Sequence, residues 1–182
     1  MKSHADLYRE YNVVVLGAGG VGKSALTFRF VCDQFLSDYN PTIEEQYRRS
    51  MVKDGQTFVL EILDTAGAEQ FTALNEVYIK SGHGFVLVFS LTQESSIQDI
   101  DNIRQQIQLI KGGAAREREV TQARIRELVA EWRLPVYETS AKNNVQVKDV
   151  FDDLLDQMRA AYPNQPLKSR KRRKKASPCI IM

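Results

Sequence analysis

The stretch Gly17-Ala18-Gly19-Gly20-Val21-Gly22-Lys23-Ser24 decides how this chain is read. It has the spacing G-x-x-x-x-G-K-[ST]. Glycines at those places let the backbone wrap so that successive N–H groups point at phosphate oxygens. The helix that follows adds the partial positive charge of its N-terminus. Lys23 can reach β- and γ-phosphates, and the Ser24 hydroxyl can ligate Mg²⁺. Taken alone, a glycine-rich turn between a strand and a helix needs no ligand. Here the β-branched run Asn12 to Leu16 reads as a buried strand, and an apolar helix follows from about Lys23 to Cys32. That is the context phosphate binding requires.

Working outward, Phe35 to Thr42 carries Asp38, Asn40 and Pro41 and reads as a loop. Gln46 to Val52 alternates, Asp54-Gly55 is a hairpin signal, and Phe58 to Leu63 is the return strand, with Phe58, Leu60 and Ile62 on one face. Phe85 to Leu91 is a further buried strand. Ile97, Ile100, Ile103, Ile107 and Ile110 mark an amphipathic helix, and Ile125, Leu128, Val129 and Trp132 mark another. Pro135 to Thr139 reads as a short strand. Val147, Val150, Phe151, Leu154, Leu155 and Met158 stripe a last helix, after which Pro163 and Pro166 end regular structure. Alternating strands and helices predict an α/β P-loop NTPase fold: a mostly parallel sheet with one antiparallel hairpin edge strand, flanked by helices. One strand is missing from the alternation. Between Lys111 and Thr121 lies GGAAREREV, which has no apolar run, so two helices follow one another where a strand is due.

At 182 residues, 43% hydrophobic and 26% charged, the chain suits one globular domain with a tail. No apolar run approaches the ~20 residues that span a bilayer. Met1 to Tyr11 is polar and carries no signal-peptide core, and Cys32 and Cys179 do not suggest a disulfide scaffold; Cys32 is expected in the core. The expected organisation is a polar extension over 1–11, a nucleotide domain over 12–162 and a basic tail over 163–182. Lys168, Arg170, Lys171, Arg172, Arg173, Lys174 and Lys175 supply seven positive charges; removing these seven takes the chain from +2 to −5. A mildly acidic body with a basic tail implies a surface partner for the tail alone.

Two further motifs join the phosphate loop. Asp64-Thr65-Ala66-Gly67 ends a strand, where an acidic side chain can hold Mg²⁺ through its water shell and Gly67 can offer its N–H to a γ-phosphate. Thr42, in a loop after Asn40-Pro41, can place its hydroxyl on Mg²⁺, although such a tripeptide is also a common turn.

With these motifs in order, the chain resembles the Ras family of small GTPases, and within it the Rap-like branch. GAGGVGKSALTFRFV, YNPTIEEQY, LEILDTAGAEQFTAL, YIKSGHGFVLVFS and ETSAK carry the resemblance from about Tyr11 to the last residue. It implies a GTP/GDP switch that hydrolyses GTP slowly. Gly17, Gly19, Gly20, Val21, Gly22, Lys23, Ser24 and Ala25 would cradle the nucleotide. Phe35 would lie against the guanine ring, Tyr39, Thr42 and Gly67 would also contact the nucleotide, and Ser140-Ala141-Lys142 would line the base pocket. Mg²⁺ would be held by Ser24 and Thr42, with Asp64 behind a water. Lys23, Thr42, Gly67 and position 68 would form the catalytic set. Tyr39 to Tyr47 would be the effector-binding surface and Gly67 to about Tyr78 the second switch. Exchange factors and GTPase-activating proteins are the implied regulators.

Two departures stand out. Ala68 occupies the place of the usual glutamine, which orients the attacking water. Rap-like proteins also lack it, and partner proteins compensate. The Asn-Lys-x-Asp segment that reads guanine does not occur in this sequence, and the strandless GGAAREREV sits where it belongs. The strand of Pro135 to Thr139 is therefore expected either to slide over to Phe85–Leu91 or to lose its ladder partner. The tail ends in Cys179-Ile180-Ile181-Met182, a C-a-a-X prenylation signal whose terminal methionine favours farnesyl. One lipid anchors only marginally, so the basic run supplies the second signal, toward an anionic inner leaflet at the cytoplasmic face of the plasma membrane. In isolation such a run would also suit nucleic acid; beside C-a-a-X, no nucleic-acid partner is expected. The alternatives are a pseudo-GTPase scaffold with impaired guanine binding, a nucleotide kinase, for which the C-a-a-X box has no use, and an incomplete splice product or gene model of a true GTPase.

Overall fold

Asp54 and Gly55 turn the chain with φ of 51° and 70°. Two positive values make a primed turn, whose twist matches the strands it joins. The structure, a computed structural model, describes residues 7–35, 43–67, 73–112 and 134–169, without the side chains of 73–75. On either side of the turn, β2 (Glu44–Lys53) and β3 (Gln56–Thr65) pair antiparallel, from Lys53 opposite Gln56 to Glu44 opposite Thr65. β3 then runs parallel to β1 (Leu7–Leu16), and β1 parallel to β4 (Gly84–Leu87), giving the order β2-β3-β1-β4. The helices are α1 (Lys23–Cys32), α2 (Ala73–Ser81), α3 (Ser95–Ile110) and α4 (Val147–Ala161). A short β5 (Leu167–Ser169) follows.

The inner strands are apolar on both faces because both faces are covered. On one side Tyr11, Val13, Val15, Phe58, Leu60 and Ile62 meet Leu26 and Phe30 of α1 and the α4 stripe Val147, Phe151, Leu155 and Met158. Phe30 and Phe151 stack at 3.8 Å between centroids. On the other side Val14, Leu16 and Leu63 meet Ile100 and Ile103 of α3, with Tyr78 of α2 alongside. The α/β architecture with a mostly parallel sheet is thus as the sequence implies, one strand short.

Several local expectations need correction. Pro135 to Thr139 is not a strand; it pairs with nothing in the sheet, and Val136 stands 46% exposed. The cause is geometric. A strand exists only where a neighbour ~4.8 Å away offers unpaired N–H and C=O groups, and no described strand does so for this segment. Of the two expected outcomes, the segment has lost its partner and has not slid. β4 stops at Leu87, with Val88 N–H still donating to Leu16 O at 2.8 Å, and Leu91 is exposed. Among the described residues no strand covers the outer edge of β4. The helix expected around Ile125 to Trp132 lies outside the described residues. Cys32 is exposed and not in the core, because the buried stripe of α1 is Lys23, Leu26, Thr27 and Phe30, and position 32 falls off it.

β1 begins at Leu7, five residues before the apolar run starting at Asn12. β4 reaches only Val13 to Leu16 of β1, so the edge at Leu7 to Arg9 would be left bare. An unpaired edge recruits whatever chain can satisfy it. Leu167–Ser169 does so, antiparallel to Leu7–Arg9, so the two prolines do not end regular structure. Lys168 forms an ion pair with Glu10, which also pairs with Arg48 of β2 at 3.3 Å.

His83 sits where β1, β4 and β5 converge. Its N–H donates to Asn12 O at 2.8 Å, and its ring Nδ1 accepts from Asn12 N–H at 2.9 Å. The ring meets Tyr11 and Tyr162 edge-on, and the Gln165 amide lies 3.4 Å from Nε2. Burial lowers the His83 pKa below 6.5, Lys111 and Lys168 lower it further, and Glu10 opposes them. A depressed histidine pKa means the fold prefers the neutral ring. Its contribution is therefore complete above about pH 6.5 and is lost as pH falls through the lower folded value. Urea midpoints should fall between pH 7.5 and 5.5 more in the native protein than in His83→Asn, whose amide oxygen keeps the acceptor without titrating. Equal falls in both proteins would contradict this assignment.

Candidate phosphate and metal site

The site forms where β1 and β3 end together. In their register Val15 faces Asp64. The Thr65 hydroxyl donates to Val15 O at 2.8 Å in a buried bond, tying the two strand ends. Nothing in the sequence pattern singled out Thr65, although it lies inside the DTAG motif. β1 then gives way to the loop, and α1 starts at Lys23.

Close approach dictates two glycines. A Cβ on Gly17 would lie 2.1 Å from the carbonyl oxygen of Val88, just past β4, and one on Gly67 would lie 2.6 Å from the Gly19 backbone. The first glycine lets the end of β4 pass over the loop. The second brings the DTAG segment onto the loop itself.

Lys23 is buried, and its Nζ donates to Gly17 O at 3.1 Å and Ala18 O at 2.8 Å. It thereby closes the loop on itself. Burial lowers its pKa, and the charge of Asp64 partly restores it. Asp64 is fully buried, and neither carboxylate oxygen meets a donor at full hydrogen-bond geometry. Burial raises its pKa; the Ser24 hydroxyl and Lys23 pull it down, and Glu45 adds to the rise. A buried carboxylate whose oxygens make no bond of full geometry and whose nearest donor is the Ser24 hydroxyl, on a loop shaped for anions, fits a Mg²⁺–phosphate group. A cation there satisfies the oxygens, and the phosphates satisfy the loop amides.

The base side is less complete. Ser140, Ala141 and Lys142 form a small closed turn, with Ser140 N–H donating to Val145 O at 3.2 Å and Val145 N–H to Ser140 O at 3.0 Å. Arg29 of α1, a residue the sequence reading passed over, contacts this turn. Phe35, at 40% exposed, has an open ring at the end of the α1 segment. Tyr39, Thr42 and Ala68 lie outside the described residues, as does Cys179. Of the effector segment, Glu44–Tyr47 is the start of edge strand β2, where Glu44 accepts a 2.6 Å hydrogen bond from the Tyr78 hydroxyl of α2.

A family model described as the Ras family matches residues 12–160. The chain belongs to the Ras family. Ras-family domains are small GTPase switches; they bind guanine nucleotide and Mg²⁺ and act through exchange factors, activating proteins and effectors. In this Ras-family chain the described residues include the loop Gly17–Ser24 and the segment Asp64–Gly67. When bound, Mg²⁺ supplies charge neutralisation on the β- and γ-phosphate oxygens. Ser24 and Asp64 would hold it, Lys23 would turn from the loop carbonyls to the phosphates, and the Gly67 N–H would face the γ-phosphate.

Burial of the Asp64 carboxylate carries a stability cost. Its folded pKa is raised above 3.8, so its contribution favours the fold at low pH and is lost as pH rises through the folded value. At pH 7 in EDTA, Asp64→Asn should therefore be more stable than the native protein by about 1 kcal/mol in urea unfolding. Adding Mg²⁺ with nucleotide should stabilise the native protein and leave the variant behind. A variant that is less stable in EDTA would contradict the strained-carboxylate reading.

Proposed function

We propose that this chain is a Rap-like, membrane-anchored member of the Ras family that binds Mg–GTP, hydrolyses it slowly, and recognises its nucleotide chiefly through the phosphates. The observation that carries this is the pairing of Lys23, closed over the loop carbonyls, with the unpaired buried carboxylate of Asp64. Slow turnover follows from Ala68, which offers no side chain to orient water. Weak selectivity follows from the absence of Asn-Lys-x-Asp in the sequence and of a strand beside β4 among the described residues. A site lacking acceptors for the guanine ring N–H and amino group has little with which to reject adenine. The exposed, unpaired run before Ser140 favours a second reading: a pseudo-GTPase that uses the β2 face as a scaffold.

Competition calorimetry with GDP, GTP, ADP and ATP in Mg²⁺ separates these. The switch reading expects measurable binding with small guanine preference. Lys23→Ala should lower affinity by roughly 10-fold or more, since a charged hydrogen bond is worth about 1.5–3 kcal/mol. In single-turnover assays Ala68→Gln should hydrolyse GTP faster than the native protein. No nucleotide binding at all would leave the scaffold reading, and tight guanine selectivity would refute the impaired base pocket.

The location is proposed from the tail. Farnesylation at Cys179 and the cations from Arg170 to Lys175 together would hold the chain to an anionic membrane, each cation near the surface adding about 1 kcal/mol. Lys168 is spent on Glu10. Cys179→Ser should move the protein to the soluble fraction, neutralising Lys171 to Lys175 should weaken retention, and Lys168→Gln should change it little. A membrane-bound Cys179→Ser protein would end the anchor model.

A further inference from the structure

Among the described residues no sheet strand leads into the turn Ser140-Ala141-Lys142. The run leading into it, 134–139, pairs with no strand among the described residues and is mostly exposed, with the Tyr137 side chain hydrogen-bonded to Asp153 of α4. Its own hydrogen bonds, Ser140 to Val145 in both directions and Asn143 N–H to the Ser140 hydroxyl at 3.2 Å, close it internally and attach it to nothing else. On the far side it leads into α4 at Val147.

Arg29 reaches it from α1. The guanidinium donates from Nε to Ala141 O at 2.6 Å and from Nη2 to Lys142 O at 3.1 Å. A third bond, from Nη1 to Asp33 O at 2.9 Å, fastens the same group to the end of its own helix. Three carbonyl oxygens are thus satisfied by one planar fork, a task that needs the fixed geometry of guanidinium and that an ammonium cannot perform. Arg29 lies in the last turn of α1, where a cation is also favoured by the helix dipole. The other end of the same helix is Lys23. The two side chains are six residues apart, ~9 Å along the helix axis.

We infer that Arg29 is a positioning residue for base binding: it clamps the Ala141–Lys142 backbone to α1, so that the phosphate loop and the base turn are held in register by one helix where a sheet would otherwise do it. This rests on the nucleotide reading above and deepens it, because it names which residue sets the affinity for the nucleoside part. α1 carries the phosphate grip at its start and the base turn at its end. Loosening the clamp should leave the first intact and blur the second.

The test compares GDP with inorganic tripolyphosphate, which engages the phosphate loop and has no base. In Mg²⁺, Arg29→Leu and Arg29→Lys should both bind tripolyphosphate as the native protein does. Both should lose GDP affinity by roughly 5- to 10-fold, as expected for the removal of positioned hydrogen bonds. Hydrogen exchange at Asn143 and Val145 should speed up in both variants while α1 and β1 keep their protection. A merely structural role would lower both affinities together and speed exchange throughout. Native GDP affinity in Arg29→Leu, or full rescue by Arg29→Lys, would overturn the inference. Equal GDP and tripolyphosphate affinities in the native protein would instead overturn the base-pocket reading beneath it, and the exchange data would still report whether the clamp holds the turn.

Discussion

The register between β1 and β3 is the constraint on which the rest depends. With Val15 opposite Asp64, the two strands end at the same level, and the Thr65 hydroxyl locks that level by its bond to Val15. A slip of one residue would turn Asp64 out of the site and send the alternating apolar set of β3 to the wrong faces. The glycine contacts then follow. Because the strand ends coincide, Gly67 lies on Gly19, and because β4 runs alongside, Val88 passes over Gly17. The closed loop, the inward lysine and the unpaired carboxylate are consequences of strands that stop together.

β1 is also where the short sheet is repaired. It is paired along one side by β3, and along the other by two strands end to end, β4 near the phosphate loop and β5 at the far end. His83 and Gln165 fill the gap between these two, the first bonding Asn12 and the second donating to Glu10 O at 2.6 Å. β5 therefore lies at the end of β1 opposite the glycine-rich loop. Beyond β4 no such repair exists among the described residues, and the segment 134–139 runs exposed. The missing strand thus leaves the β1–β3 core intact, and the run before Ser140 has no strand partner among the described residues.

Most of the core could be read from periodicity. The α4 stripe, the α1 boundaries from Lys23 to Cys32 and the Asp54-Gly55 hairpin appear where their patterns put them, because each depends on neighbours a few residues away. The misreadings share one cause. Leu7 to Tyr11, Leu167–Ser169 and Pro135 to Thr139 have compositions that allow either strand or loop, and a strand exists only where a partner offers unpaired N–H and C=O groups. β1 offered them to Leu167–Ser169, and among the described residues no strand offered them to Pro135–Thr139. Cys32 was misplaced for a different reason: an apolar helix has an outer face as well, and position 32 lies on it.

By itself the sequence determined the chemistry at the loop. G-x-x-x-x-G-K-[ST] and DTAG specify backbone wrapping, a cation and a carboxylate, all properties of local residues, and it showed that no Asn-Lys-x-Asp was present. Only the tertiary structure decided which groups are paired. That Asp64 is buried without a full partner, that Lys168 is engaged by Glu10, and that Arg29 reaches 112 residues along the chain to Ala141 are outcomes of packing. A hydrogen bond needs its two atoms within about 3 Å and aligned, and no pattern along the chain measures that distance.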